Sequence, residues 1–188
     1  MFKFSLYLIF LIFYLFPISL DFAQEETSYS VWTEQNFLIF YHPQAKKLVK
    51  ELAKFYNLKY KEFIQQWANK INSPITIYLT TSPEEFKRLT RGSSPDWGEG
   101  VALVDRNWIV LKVDYQADLT KIYRIATHEL VHLLLHASVN NTNIPRWFDE
   151  GWAMYNSQRW QWQQVLSLGR AIITNSLIPL ENIDQVLR

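Results

Sequence analysis

The 188-residue chain has no cysteine. It can build no disulfide framework. A metal site in it must use histidine and carboxylate ligands rather than thiolates. No sign of charge dominates either: 19 Lys and Arg stand against 18 Asp and Glu, a formal net charge of +1. With both signs mixed along the chain there is no electrostatic field to attract a nucleic acid. There is no internal repeat and no low-complexity tract, only a short polar stretch from Gln24 to Ser30. Histidine is sparse: His42, His128, His132 and His136 are all there are.

What is present begins with an apolar leader. Lys3 supplies one positive charge, and Phe4 to Leu20 then runs without any charged residue. That is long for the apolar core of a signal peptide and slightly short for a membrane span. Pro17 and Ser19 near its end favour a signal peptide, with Ala23 as the last residue removed. The expectation is a signal peptide or N-terminal anchor over residues 1–23, a linker over 24–35, and one folded domain over 36–188. The domain would then lie outside the cytoplasm, with membrane attachment through residues 4–20 if the leader is retained. The roughly 165 residues beyond the leader suffice for a sizeable core.

Residues 128 to 132 read His-Glu-Leu-Val-His. Two histidines four apart on a helix share a face and can share a metal ion. Glu129 is rotated by about 100° from His128 around the helix axis. It can therefore reach a water on the metal without being a ligand, which is the arrangement of a metal hydrolase. Asp118 is a plausible N-cap of this helix, and the run from Ala137 to Asn143 ends it. Ile122, Tyr123, Ala126, Leu130, Leu133 and Leu134 occupy the side opposite the histidines. The helix is thus expected to bury one face and turn the other to a cleft.

The third ligand is a matter of elimination. His136 lies one turn past His132, too far along the axis for a metal held between His128 and His132, and reads as a supporting residue. His42 follows a distant strand and reads as an ordinary polar residue. Leu135 and Ser138 stand where a third His motif would need Gly and His. A carboxylate is left, Asp149 or Glu150.

His-Glu-x-x-His followed by Pro145-Arg-Trp-Phe-Asp-Glu-Gly-Trp-Ala153 resembles the gluzincin peptidases, above all the small peptidase MA-like domains related to aminopeptidase N and thermolysin. Trp97 to Val104, followed by Asn107 to Leu111, resembles the hairpin that precedes the active helix in such domains. The resemblance covers about residues 36 to 181. It implies that Glu150, not Asp149, is the third ligand of one Zn2+ per chain, beside His128 and His132, and that Glu129 is the catalytic base. Three departures stand out. The spacing from His132 to Glu150 is one residue shorter than in typical aminopeptidases. Met154 occupies the place of an Asp that orients a zinc histidine in thermolysin-like enzymes. Family domains also continue past the point where this chain stops, at Arg188, so the resemblance implies a fragment or a short member.

Periodicity gives an α+β order. Strands are expected over 36–41 and 74–80, a long helix over 43–69, and a short helix capped by Ser82 with Pro83 at its first position. Strands over 101–104 and 108–113 form a hairpin, and helices follow at 118–138, about 146–157 and about 160–175. The fold expected is zincin-like: a small mixed sheet with a hairpin edge packed on the active-site helix, followed by further helices. A peptide substrate could pair with that edge near Gly98 and Gly100; the alternative is that these glycines only shape a turn. Glu99 lacks the sequence setting of an amino-terminus binder. Trp147, Trp152, Trp160 and Trp162 fit core packing better than a substrate pocket. The expected function is an exported zinc metallopeptidase acting on a peptide or protein. The alternative is a non-catalytic zinc-bearing module that binds polypeptide or the cell envelope.

Overall fold

The computed structural model describes residues 29–67, 71–92, 98–139, 143–158 and 162–174, with Ser176, Ile178, Pro179 and Asn182. The expected leader, 1–23, lies outside the described residues, as do Trp97 and Trp160. Among the described residues no helix is long and apolar enough to cross a membrane.

The fold is mixed α+β. Strands β1 (Ser30–Glu34), β2 (Phe37–Tyr41), β3 (Ile75–Thr80), β4 (Gly100–Leu103) and β5 (Trp108–Lys112) form one sheet in the order β1-β2-β3-β5-β4. The three inner strands are parallel, and β1 and β4 are antiparallel edges. Helices α1 (Lys46–Trp67), α2 (Pro83–Thr90), α3 (Leu119–Ser138), α4 (Arg146–Asn156) and α5 (Trp162–Ile173) complete the domain.

The alternation of the strands explains which face carries the core. Phe37, Ile39 and Tyr41 of β2, Ile75, Ile77 and Leu79 of β3, and Ile109 and Leu111 of β5 are buried in one cluster. Leu48, Val49, Leu52, Tyr56 and Phe63 of α1 and Ile122, Ala126, Leu130, Leu133 and Leu134 of α3 complete it. Each fully buried Leu or Ile contributes about 1.5–3 kcal/mol, so this cluster fixes α3 against the sheet. On the other face Phe40 stacks on Tyr78 with ring centroids 4.8 Å apart, and Tyr78 meets Trp108 at 5.0 Å.

One expectation fails here. Residues 30–34, read as part of a linker, form β1, which pairs along its whole length with β2. A two-residue turn, Gln35–Asn36, joins them, with Gln35 at a φ of 37°. The polar residues of β1 hid it: its inward residues are only half-buried, so the apolar alternation that marks a strand is weak.

His42, read as an ordinary polar residue, belongs to a partly buried cluster. Its Nε2 lies 3.1 Å from Oε2 of Glu85, and its ring stacks on Tyr29. The Tyr29 hydroxyl donates to the same carboxylate. Burial, reinforced by this carboxylate, holds the Tyr29 hydroxyl well above the usual range. The backbone N–H of Glu85 donates to the Ser82 hydroxyl, which caps α2 as expected.

Candidate metal centre

Helix α3 begins where the sequence places it. The Asp118 carboxylate accepts from the N–H of Thr120 at 2.9 Å, the N-cap arrangement. Its middle stretch, Ile125 to Leu135, is buried throughout. The histidine face is therefore covered rather than open to a cleft: His128, Glu129 and His132 are 6%, 5% and 7% exposed. Two elements lie against this face. Helix α4 brings Asp149 and Glu150, and strand β4 brings Gly100.

The three expected ligands converge. His128 Nε2 and His132 Nε2 face each other at 3.2 Å. Glu150 Oε2 lies 3.4 Å from the first and 4.0 Å from the second. Ligand atoms around a tetrahedral zinc at roughly 2.0–2.1 Å stand about 3.4 Å apart. The cluster thus has the spacing of a tetrahedral N2O ligand set. Two buried imidazole nitrogens and a carboxylate aimed at one point have the chemistry of a zinc site with a fourth position left for water.

Asp149 has a different place. Its Oδ1 is 2.6 Å from His132 Nδ1, the nitrogen turned away from the ligand cluster, and its Oδ2 is 3.1 Å from His136 Nε2. The alternatives left open by sequence are thereby separated: Glu150 joins the histidine nitrogens and Asp149 stands behind one of them. Among the described residues the corresponding nitrogen of His128, Nδ1, is buried without a hydrogen-bond partner.

The electrostatics follow from these contacts. Burial pulls the His132 pKa down, but hydrogen bonding to Asp149 and the charges of Glu129, Asp149 and Glu150 outweigh it, and the net shift is upward. Burial raises the Asp149 pKa, and the two histidines overcome that and lower it. For Glu150 the hydrogen bond from His128 is the largest influence; it lowers the pKa against the opposing effect of burial. The Tyr56 hydroxyl is fully buried, and burial first, then the charge of Glu129, push it well up.

Strand β4 touches the helix at Gly100. A Cβ there would lie 2.7 Å from Ile125 Cγ2 and 2.8 Å from Glu129 Oε1. Only glycine allows the strand so close to the helix. Glu99 is also accounted for: its carboxylate pairs with Lys121 of α3 at 2.5 Å, and its carbonyl accepts from the N–H of Lys112. Trp152 packs against the core and stacks on Phe148 and Tyr155. Phe148, Trp152 and Tyr155 lie on the side of α4 opposite Glu150, where Trp152 packs on the core while Phe148 and Tyr155 stay exposed.

Sequence reasoning missed two features: the grip of Asp149 on His132 and the contact of Gly100 with Glu129. Each had a signal. Asp149 is rotated by about 100° from Glu150 on the same helix, so it meets the same histidines from another side. A lone glycine inside a strand often marks close approach.

The family model described as Peptidase MA superfamily matches residues 61–187, which takes in β4, α3, α4 and every residue of the cluster. No curated protein matches the chain.

Proposed function

Since the chain belongs to the Peptidase MA superfamily, we propose that it is an exported zinc metallopeptidase that hydrolyses peptide bonds. The observation that carries this reading is the convergence of His128 Nε2, His132 Nε2 and Glu150 Oε2 beside a buried Glu129 that is not among them. A site that served only to hold the fold would have no need of a carboxylate beside its ligands.

His128, His132 and Glu150 would hold the ion. A zinc bound there supplies Lewis acidity, lowering the pKa of a water toward neutrality and polarising the scissile carbonyl. Glu129 takes the proton of the attacking water and delivers it to the departing amine. Asp149 orients His132 and leaves its Nε2 free to ligate. An extended peptide pairs with the edge that β4 leaves unpaired among the described residues and so passes Glu129, because Gly100 sets that strand directly against it. The apolar leader, Phe4 to Leu20, directs the domain out of the cytoplasm.

Glu129→Gln tests the reading. The change keeps the size of the side chain and removes the base. Cleavage of an unfolded protein such as casein should be lost, while zinc content and Tm stay close to wild type. Chelation of the wild type should abolish the same activity. Proteolysis that survives both treatments would end the metallopeptidase reading. In parallel, Glu150→Ala should remove most of the bound zinc, and Asp149→Ala should weaken binding by about 10- to 100-fold without abolishing it.

A further inference from the structure

The two histidines of the cluster are supported unequally. Behind His132 stands a chain of two hydrogen bonds: Nδ1 meets Asp149 Oδ1 at 2.6 Å, and Asp149 Oδ2 meets His136 Nε2 at 3.1 Å. Both oxygens of one carboxylate are thus taken by imidazoles, with the longer contact behind Asp149 and the shorter one in front. Behind His128 there is no counterpart. Its Nδ1 is buried and, among the described residues, without a hydrogen-bond partner. The residue one turn beyond Glu150 on the same face of α4 is Met154, and a thioether is a poor acceptor.

We propose that His136 and Asp149 act as one positioning unit for His132, and that His128 has no such support, so that the two imidazoles ligate the metal with unequal constraint. This rests on the zinc reading above. A ligating imidazole normally donates its second N–H to an acceptor that fixes the ring and raises its basicity. His132 has that acceptor, and His136 fixes the acceptor in turn. His128 is oriented by packing and by the edge-on contact of the two imidazole rings, whose planes cross at 85°. His136 is therefore a positioning residue two hydrogen bonds removed from His132, a role that the spacing from His128 to His132 does not by itself reveal.

Zinc affinity, read by competition with a chromophoric chelator on the full chain, separates this from a merely structural role. Asp149→Ala should weaken zinc by about 10- to 100-fold, and His136→Ala by a smaller factor of several-fold. The effects should not add: once Asp149 is alanine, His136→Ala should cost nothing further, because its only route to the metal is gone. His136→Ala with wild-type affinity, or two effects that multiply in full, would overturn the proposal. The melting temperature of the metal-free variants checks that the fold is intact. A second measurement addresses His128 directly. In proton–nitrogen spectra of the zinc form, the Nδ1–H of His132 should resonate well downfield of that of His128, as a proton shared with a carboxylate. Equal shifts would overturn the asymmetry. A wild-type chain that takes up no zinc would overturn the zinc reading first, and the unequal support with it.

Discussion

Replacing Gly100 by alanine tests the contact on which substrate placement depends. The added Cβ would lie 2.7 Å from Ile125 Cγ2, 2.8 Å from Glu129 Oε1 and 2.9 Å from Glu129 Cγ. Ile125 and Glu129 are both buried, so neither can swing into solvent. Restoring normal contact moves the carboxylate or the strand by more than about half an ångström, and overpacking of this kind costs about 1–3 kcal/mol. In a domain of this size that lowers Tm by roughly 2–12 °C. Catalytic groups tolerate displacements of only about 0.5 Å, so kcat should also fall by about 10- to 100-fold. Zinc content should hold, because Gly100 touches no ligand. The assay is a thermal melt beside casein cleavage, with bound zinc measured on the same samples. Unchanged Tm together with unchanged cleavage would refute the reasoning, since it would mean that β4 does not press on Glu129.

Proton competition gives a second expectation. The His132 pKa is raised, so a proton competes for its ligating nitrogen at higher pH than for an ordinary histidine. Zinc affinity should begin to weaken as pH falls through that raised value; an affinity that stays flat until pH is below the ordinary histidine range would contradict the shift. In the metal-free protein the signs separate. The lowered values of Asp149 and Glu150 contribute stability that is present above the ordinary carboxylate range and lost as pH falls through those lowered values. The contribution of His132 is full below its ordinary value and lost as pH rises through the raised one. Metal-free Tm plotted against pH should therefore peak between the two, and a monotonic curve would argue against the pairing. In the Tyr29–His42–Glu85 cluster, Glu85→Ala strands the Tyr29 hydroxyl and His42 and should cost about 1–3 kcal/mol in a chemical melt. Glu85→Gln, which can still accept, should cost less, and equal losses would show that the carboxylate is not what these residues need.

Much of the fold was legible because its elements are locally self-consistent. The helix from Asp118 to Ser138 carries its cap, its apolar stripe and its histidines within one stretch, and the structure follows it closely. Ser82 and Pro83 announced α2 in the same way. The antiparallel hairpin of β4 and β5 was read from two short apolar runs around a turn, and its strands start or end within a residue of expectation. What could not be read was pairing between strands far apart in sequence. Nothing in Ile75–Thr80 says that it lies between β2 and β5, because strand order is set by packing of the whole sheet against α1 and α3. Strand β1 was missed because an edge strand with one half-buried face lacks the apolar alternation of an inner one. The clustering of His128, His132 and Glu150 was the most legible part, since the spacing within α3 puts two histidines on one face and the motif around Glu150 points to the third member. The buried setting of Glu129 and the role of Asp149 were not, because both depend on how β4 and α4 dock onto α3.

Helix α4 buries little of itself. Ala153 is its one fully buried residue and Trp152 packs on the core beside it, so Asp149 and Glu150 reaching the histidines add a polar hold to a small apolar one. An ion bridging His128, His132 and Glu150 therefore fastens one helix to another, in addition to any chemistry it performs. The sheet, α1 and α3 also share a large apolar core that does not depend on that fastening. Depletion of metal should open the molecule locally, with amide hydrogens of α4 exchanging first while those of β3, β5 and α3 remain protected. The segment that supplies the third ligand is then also the segment that lets go, so loading and release of the ion become a local opening of one helix rather than an unfolding of the domain.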